Sequence, residues 1–364
     1  MNEIYYVGAT GKGSGRSLAA WVLAETLLGR GLRPGFVKAV PDEEPEFSET
    51  GEDPDLVLFR SLLGADRCRL LWAPKEAGSD RDPGKSALPT LEEGAQQIRK
   101  WASLWGAAIV MGSQRIFSDF LSRPVSEIGL IRILGAQVFL LDRYESEANS
   151  IYNLLSLQSL LKGLTRCLIV NRIPYSEAGC RLAGLDNLLL REQKLPTVAQ
   201  IPEDPVLSSL SIQEIARTLP ADLVVGRESA HHRICGFTLG SHHLTGPLRV
   251  FRQTAARILL LSRTGDNGQG AEHEGPEKVS AVLTAARRLP NPALVEAARQ
   301  AGVCLLHADC EPFTALDRLR HMQESVNPQQ EYKRDRFRQL LLEALGTKEL
   351  FAFVGPPSEP AAGR

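Results

Sequence analysis

The sequence has no long apolar run. No window approaches the roughly 18 consecutive apolar residues of a membrane span, so no membrane partner is expected. The opening MNEIYYVGAT has neither a basic n-region nor an apolar h-region and is not read as a signal peptide. Neither sign of charge is in excess: 42 Lys and Arg face 43 Asp and Glu. That excludes nucleic acid or an acidic surface held by bulk charge. The cysteines (Cys68, Cys167, Cys180, Cys235, Cys304, Cys310) include no Cys-x-x-Cys, and several lie in apolar runs such as CLIV and VCLL. Buried, reduced thiols in a cytoplasmic protein follow. There is no repeat at a solenoid period and no Gly-x-Ser-x-Gly nucleophile elbow. His231-His232 and His242-His243 have neither a cysteine pair nor helical i, i+4 spacing, so they read as surface or loop residues.

At 364 residues, the chain has length for two domains, each with its own core. Its apolar runs alternate with helix-length segments. IYYVGA, SLAAWVLAETLLGRG and PGFVKAV read as strand, helix, strand, with Gly29 and Gly31 ending the helix. AAIVMG, QVFLLD and RCLIVNR are further buried strands, and NSIYNLLSLQSLLKG is a further helix. This pattern predicts an α/β fold: a mostly parallel sheet with helices on both faces. A second, smaller α/β unit follows ADLVVGRES, with ICGFTLG, ARILLLS, KVSAVLT and GVCLLHAD as its strands. The expected domains are residues 1–227 and 234–325, then a tail, 326–364, with one helix from Arg334 to Leu345 and a disordered end. Lys75 to Pro89 reads as a surface loop.

One short stretch carries chemistry. VGATGKGSGRS joins the first strand to the first helix. A glycine-rich turn there gathers backbone N–H groups and a helix N-terminus around an anion. Thr10, Gly11, Lys12, Gly13, Ser14 and Gly15 form the turn, and Ser17 stands where a Gly-Lys-Ser/Thr ending places its Mg²⁺-binding hydroxyl. Position 16, however, is arginine, which keeps the charge but is longer and planar. Lys12 offers a partial substitute.

With these residues in view, Met1 to about Arg227 resembles the dethiobiotin synthetase-like P-loop domain found at the N-terminus of long phosphate acetyltransferases. FVKAV resembles that family's second strand, which implies that Lys38 faces the phosphates. DPDLVLFRSL resembles the segment with the Mg²⁺-binding aspartate, so Asp55 would share a metal with Ser17. NRIP and the stretch from Pro196 to Leu219 resemble the base-side segments, which implies nucleotide-side roles for Asn171, Pro202 and Glu203. Val110-Met111-Gly112 stands where active members read V-E-G, so a thioether replaces a metal-ligating carboxylate. Ile234 to about Arg320 resembles a DRTGG domain: Arg263, Thr264 and Asp266 stand near its signature, and Ala285-Ala286 replace two glycines. The phosphate acetyltransferase catalytic domain is absent from the sequence.

The resemblance implies weak ATP binding to which Mg²⁺ contributes little, in a non-catalytic or weakly active regulatory or sensor protein with an unknown protein partner. Two alternatives stay open: an ATP-dependent ligase of the dethiobiotin or cobyrinate amidase type, and an inert subunit with an empty site. Whether the chain forms a homo-oligomer is open as well.

Overall fold

The computed structural model describes residues 3–40, 53–72, 89–116, 126–161, 163–174, 197–239, 247–249, 257–263, 277–324 and 330–346. The chain forms two compact units, Met1–Glu203 joined by Asn327–Arg364, and Asp204–Val326.

The first unit is built on seven strands: β1 (Glu3–Ala9), β2 (Gly35–Lys38), β3 (Cys68–Leu70), β4 (Ala107–Met111), β5 (Gln137–Arg143), β6 (Thr165–Ile173) and β7 (Thr197–Pro202). Their order is β3-β2-β4-β1-β5-β6-β7, and every neighbouring pair is parallel. The central strands are apolar on both sides because helices cover both faces. The α/β fold with a parallel sheet is the one that the alternation of segments predicts. The short edge strand β3 and the strand β7 were not among the expected strands.

Side-chain parity sorts the two faces. Tyr6, Val37, Val110, Leu140 and Val170 point to one layer, where they pack with Ile98 of α3 (Leu91–Trp105), Ile131 and Leu154. Among the described residues, the helices of this part of the chain are α1 (Arg16–Gly29), α2 (Pro54–Leu63), α3 (Leu91–Trp105), α4 (Glu127–Leu134) and α5 (Glu147–Leu161). Ile98, Ile131 and Leu154 thus place α3, α4 and α5 on that face. On the other face Phe36 stacks on Phe59 of α2 at 3.9 Å, and Phe59 meets Trp21 of α1 at 5.9 Å.

Local chemistry sets the helix ends. Asp53 caps α2 by accepting from the N–H groups of Asp55 and Leu56, with Pro54 at the first helical position. Thr90 and Glu93 form a capping box at the start of α3. Gly31, at φ 78°, follows the end of α1. Trp101 and Trp105 lie edge to face at 6.3 Å on one side of α3, as their i, i+4 spacing predicts.

The second unit holds α6 (Pro205–Ser208), β8 (Leu210–Ser211), α7 (Ile212–Thr218), β9 (Ala221–Val225), β10 (Arg233–Ile234), β11 (Gly236–Leu239), β12 (Arg257–Arg263), β13 (Glu277–Ala285), α8 (Pro292–Ala301), β14 (Cys304–Ala308) and α9 (Pro312–Glu324). Five strands form a sheet in the order β11-β12-β13-β14-β9, parallel only between β13 and β14. Ile215 and Leu319 pack with Leu283 and Leu306, whereas Leu294 and Ala298 pack with Val282 and Leu305. The sheet therefore has helices on both faces.

The units divide earlier than the boundary expected at Arg227. The apolar run ADLVV forms β9, which pairs with β14 of the second sheet and so belongs to that unit. The tail is corrected too. Its helix, α10 (Glu331–Leu345), belongs to the first unit and packs on β7 and α1. Phe337 is fully buried, Arg334 lies over Trp21 at 5.1 Å, and Arg338 pairs with Glu25. Ala285 and Ala286, which stand where the resemblance has two glycines, are not at positive φ: β13 continues to Ala285, and the Ala286 N–H reaches the Ala308 carbonyl. The Lys75–Pro89 loop (but for its last residue), Cys180, His242, His243 and the chain end after 346 lie outside the described residues.

Burial governs the thiols. Cys68 and Cys167 are buried and pushed up to about 12 by desolvation of the thiolate. Both should resist alkylation by iodoacetamide at pH 8 in the folded chain and react once urea unfolds it. Their raised values also favour the folded state below the unfolded thiol value of 9.0 and lose that contribution as pH rises toward 12. Urea midpoints measured between pH 8 and 11 should therefore fall. Substituting Ala at both positions should flatten that slope; an unchanged slope would show that other groups cause it.

Candidate functional site

In an open parallel sheet, ligands bind beyond the carboxyl ends of the strands, where the strand order reverses. Register brings those ends together here. Val7 and Lys38 both pair with Met111, Ala9 pairs with Leu141, and Arg143 pairs with Asn171. The glycine-rich turn lies at this edge between β1 and α1, as expected from its sequence.

The turn is clamped from behind. The Thr10 N–H donates to the Leu141 carbonyl, and the Thr10 hydroxyl donates to Asp142 Oδ1 at 2.6 Å. Asp142 is buried but accepts two further hydrogen bonds, from Ser150 (2.6 Å) and Asn153 (2.8 Å), which satisfy its charge. Arg143 donates to the Lys12 carbonyl (3.2 Å) and Asn171 Nδ2 to the Ser14 carbonyl (2.9 Å). These carbonyls belong to alternate residues, and the glycines after them are left-handed, Gly13 at φ 68° and Gly15 at φ 91°. Alternation of this kind turns N–H groups into one concavity, a nest suited to an anion. Gly15 has a second constraint: a Cβ there would stand 2.8 Å from Asn171 Nδ2 and 3.7 Å from the ring of Phe337.

On the α1 and α2 side lies a cluster of buried charges. Asp55 accepts from Arg16 Nη2 at 2.9 Å and Lys38 Nζ at 2.5 Å on one oxygen, and from the Ser17 hydroxyl at 2.5 Å on the other. Lys38 is fully buried and also 3.7 Å from Asp53. Arg16 is buried, and its Nη1 donates to the Gly112 carbonyl at 2.7 Å. Met111 is fully buried beside Lys38 in register.

The structure thus brings Arg16, Ser17 and Lys38 together on Asp55. The Asn171 amide is bonded into the loop, and its Oδ1 accepts the Arg172 N–H at 2.9 Å, so it clamps the loop. Pro202 ends β7, and the exposed Glu203 donates its N–H to the Ile173 carbonyl. Arg263 ends β12, a strand described by its backbone alone, and Thr264 and Asp266 lie outside the described residues.

Sequence reading missed Asp53, Asp142, Arg143, Glu127 and Phe337. A single acid ending the apolar run QVFLLD was the signal available for Asp142. Asp before Pro at the head of an apolar helix marked Asp53 as a cap.

Two loci outside this edge carry less. Arg287 and Arg288 are exposed, as a solvated pair would be. Burial raises both Cys304 and Cys310, which does not suit reactive thiols. No group of His, Cys, Asp and Glu among the described residues has the arrangement of a metal site, and no described helix is long and apolar enough to cross a membrane.

No protein-family model and no curated protein matches the sequence. Among solved structures the chain is similar to chloroplast FtsY from Physcomitrella patens, at 12% identity and a TM-score of 0.36 over 56% of this chain and 59% of that one. It is also similar to the hydrogenase maturation factor HypB from Archaeoglobus fulgidus, at 10% and 0.32 over 55% and 81%. A third is a ParA family ATPase from Chlorobium tepidum, at 15% and 0.33 over 56% and 86%.

Breaking a buried ion pair by removing one partner costs about 3–5 kcal/mol. Asp55→Asn should therefore destabilise the first unit by about that amount in urea unfolding. Adding Lys38→Met should recover part of the loss, because it removes a cation left without Asp55. If the double variant is no more stable than Asp55→Asn, the pair is not energetically coupled.

Proposed function

We propose that the loop from Thr10 to Ser17 binds the phosphate groups of an adenine nucleotide without a divalent cation, and that the protein is a nucleotide-responsive regulator without turnover. The observation that carries this reading is the guanidinium of Arg16 on Asp55. The carboxylate from which Mg²⁺ would take an oxygen is already neutralised by two cations, and the Ser17 hydroxyl is directed at the same group. Met111 adds a thioether where an oxygen would be needed. Mg²⁺ requires hard oxygen donors in near-octahedral geometry, and this donor set does not fit it.

An anion fits better. The nest of the loop, Lys12 at its rim, and Arg16 and Lys38 beneath it supply N–H groups and positive charge. On binding, Arg16 moves from Asp55 toward the phosphates, while Lys38 stays on Asp55 and keeps that carboxylate neutralised. Adenine as the base is the part of the proposal that rests on the resemblance to dethiobiotin synthetase-like domains, with Pro202 and Glu203 on the base side. Kinship of the second unit with DRTGG domains, a ligand near Arg263, Thr264 and Asp266, and a protein partner are proposed on the same ground.

Titration calorimetry with ATP in EDTA and with Mg-ATP tests the reading. The two dissociation constants should agree within about threefold, where a tenfold difference would be about 1.4 kcal/mol. Strict dependence on Mg²⁺ with steady phosphate release would overturn it, and so would no binding in either arm.

Repair gives a second test. Arg16→Lys places a compact ammonium in the loop and frees Asp55 from the guanidinium. Met111→Glu restores a carboxylate but buries it beside Lys38, so alone it should lower thermal stability. Together they should bind Mg-ATP more tightly than the single changes imply, read as nucleotide-dependent stabilisation. If the double variant gains no more stabilisation than the wild type, the loop is not a former Mg-ATP site.

A further inference from the structure

Glu127 is buried at the first position of α4, on the opposite face of the sheet from Asp55. Its Oε2 accepts the Tyr6 hydroxyl at 2.5 Å, and its Oε1 accepts the Ser113 N–H at 3.0 Å. That N–H belongs to the same peptide group as the Gly112 carbonyl, which accepts Arg16 Nη1 at 2.7 Å. The described peptides are all trans, so this C=O and N–H point in opposite directions. One peptide plane is therefore held between a carboxylate on one side and a guanidinium on the other. Position 112 must be glycine for this to form, because a Cβ would collide with both Tyr6 Oη and Glu127 Oε2.

We infer that Glu127 is the positioning residue for Arg16 and acts through the Gly112–Ser113 peptide. The negative charge at the N–H polarises the amide and makes the carbonyl a stronger acceptor, as bonds in a buried chain strengthen one another. It also fixes the orientation of the plane, so the carbonyl cannot rotate away from Arg16. The guanidinium is then held in place by two groups, Asp55 directly and Glu127 at one remove. The meaning of this for ligand binding rests on the phosphate-loop reading above; the coupling between the two residues does not.

A double-mutant cycle tests the coupling without nucleotide. Glu127→Gln keeps an acceptor for the Ser113 N–H but removes the charge, and Arg16→Met removes the guanidinium. The unfolding constant of the double variant should depart from the product of the single effects by about tenfold, although the side chains do not touch. Agreement within about twofold would mean independent sites and overturn the inference. Tyr6→Phe leaves the carboxylate charged, so its coupling to Arg16→Met should be smaller.

If Glu127→Gln does not fold, Glu127→Asp, too short to reach Ser113, serves in its place. The readout is then guanidinium proton exchange in [¹⁵N]arginine-labelled protein. Exchange at Arg16 should speed at least tenfold while Arg143, bonded to Lys12, stays as it was; equal exchange at Arg16 in variant and wild type would refute the inference. ATP in EDTA adds a readout that a merely structural role moves the other way. Loosening Arg16 lowers the cost of moving it to the phosphates, so Glu127→Gln should bind about fivefold tighter while being less stable. Weaker binding with lower stability would make Glu127 structural only. If the wild type does not bind ATP but the cycle is coupled, the phosphate reading fails and the positioning role stands.

Discussion

Asp55 is a single carboxylate shared by two buried cations. A charge leaves water only if its field is answered nearby, and removing either kind of partner leaves several kcal/mol uncompensated. Arg16 comes from the head of α1, Lys38 from the end of β2 and Asp55 from the first turn of α2, so this one group ties three elements at the edge of the sheet. Asp53 stands close enough to Lys38 to bring the cluster toward neutrality. Because the charges answer one another inside the protein, the cluster can stay buried. A lysine at position 16 would reach less far and would leave Asp55 to Lys38 and Ser17.

The loop above this cluster is shaped by residues that do not belong to it. Asp142, Arg143 and Asn171, from the ends of β5 and β6, bind one hydroxyl and two carbonyls on its outer side. Holding carbonyls outward leaves N–H groups for the inner side, which is how a neutral backbone is made attractive to an anion. Cations below and oriented amides around the turn are separate contributions with separate origins. A change that spoils one need not remove the other.

The order of strands and helices in the first unit was legible because burial on both faces of a parallel sheet writes continuous apolar runs, and VGATGKGSGRS fell at the strand-to-helix turn as its glycines require. The second-sheet membership of ADLVV was not legible, since an apolar run does not say which sheet it joins. Met111 and Arg16 could be recognised as departures from a pattern, yet their consequence could not. An arginine at the head of a helix can lie in solvent or turn inward; its partners Asp55 and the Gly112 carbonyl are 39 and 96 residues away along the chain. Glu127 carried no signal at all, because a glutamate at a helix start is ordinarily an exposed group near the helix dipole.

The return of α10 to the first unit bears on how the protein is made. Its burial beside Gly15, β7 and α1 means that the first unit lacks part of its wall until α10 has been synthesised. The whole of Asp204–Val326 emerges from the ribosome in between. At roughly 5–20 residues per second this interval is on the order of ten seconds. Throughout it, the apolar surface that Phe337, Leu340 and Leu341 will cover is open on a nascent chain, while the interposed unit can already fold. The glycine-rich turn is thus translated well before the helix that encloses it.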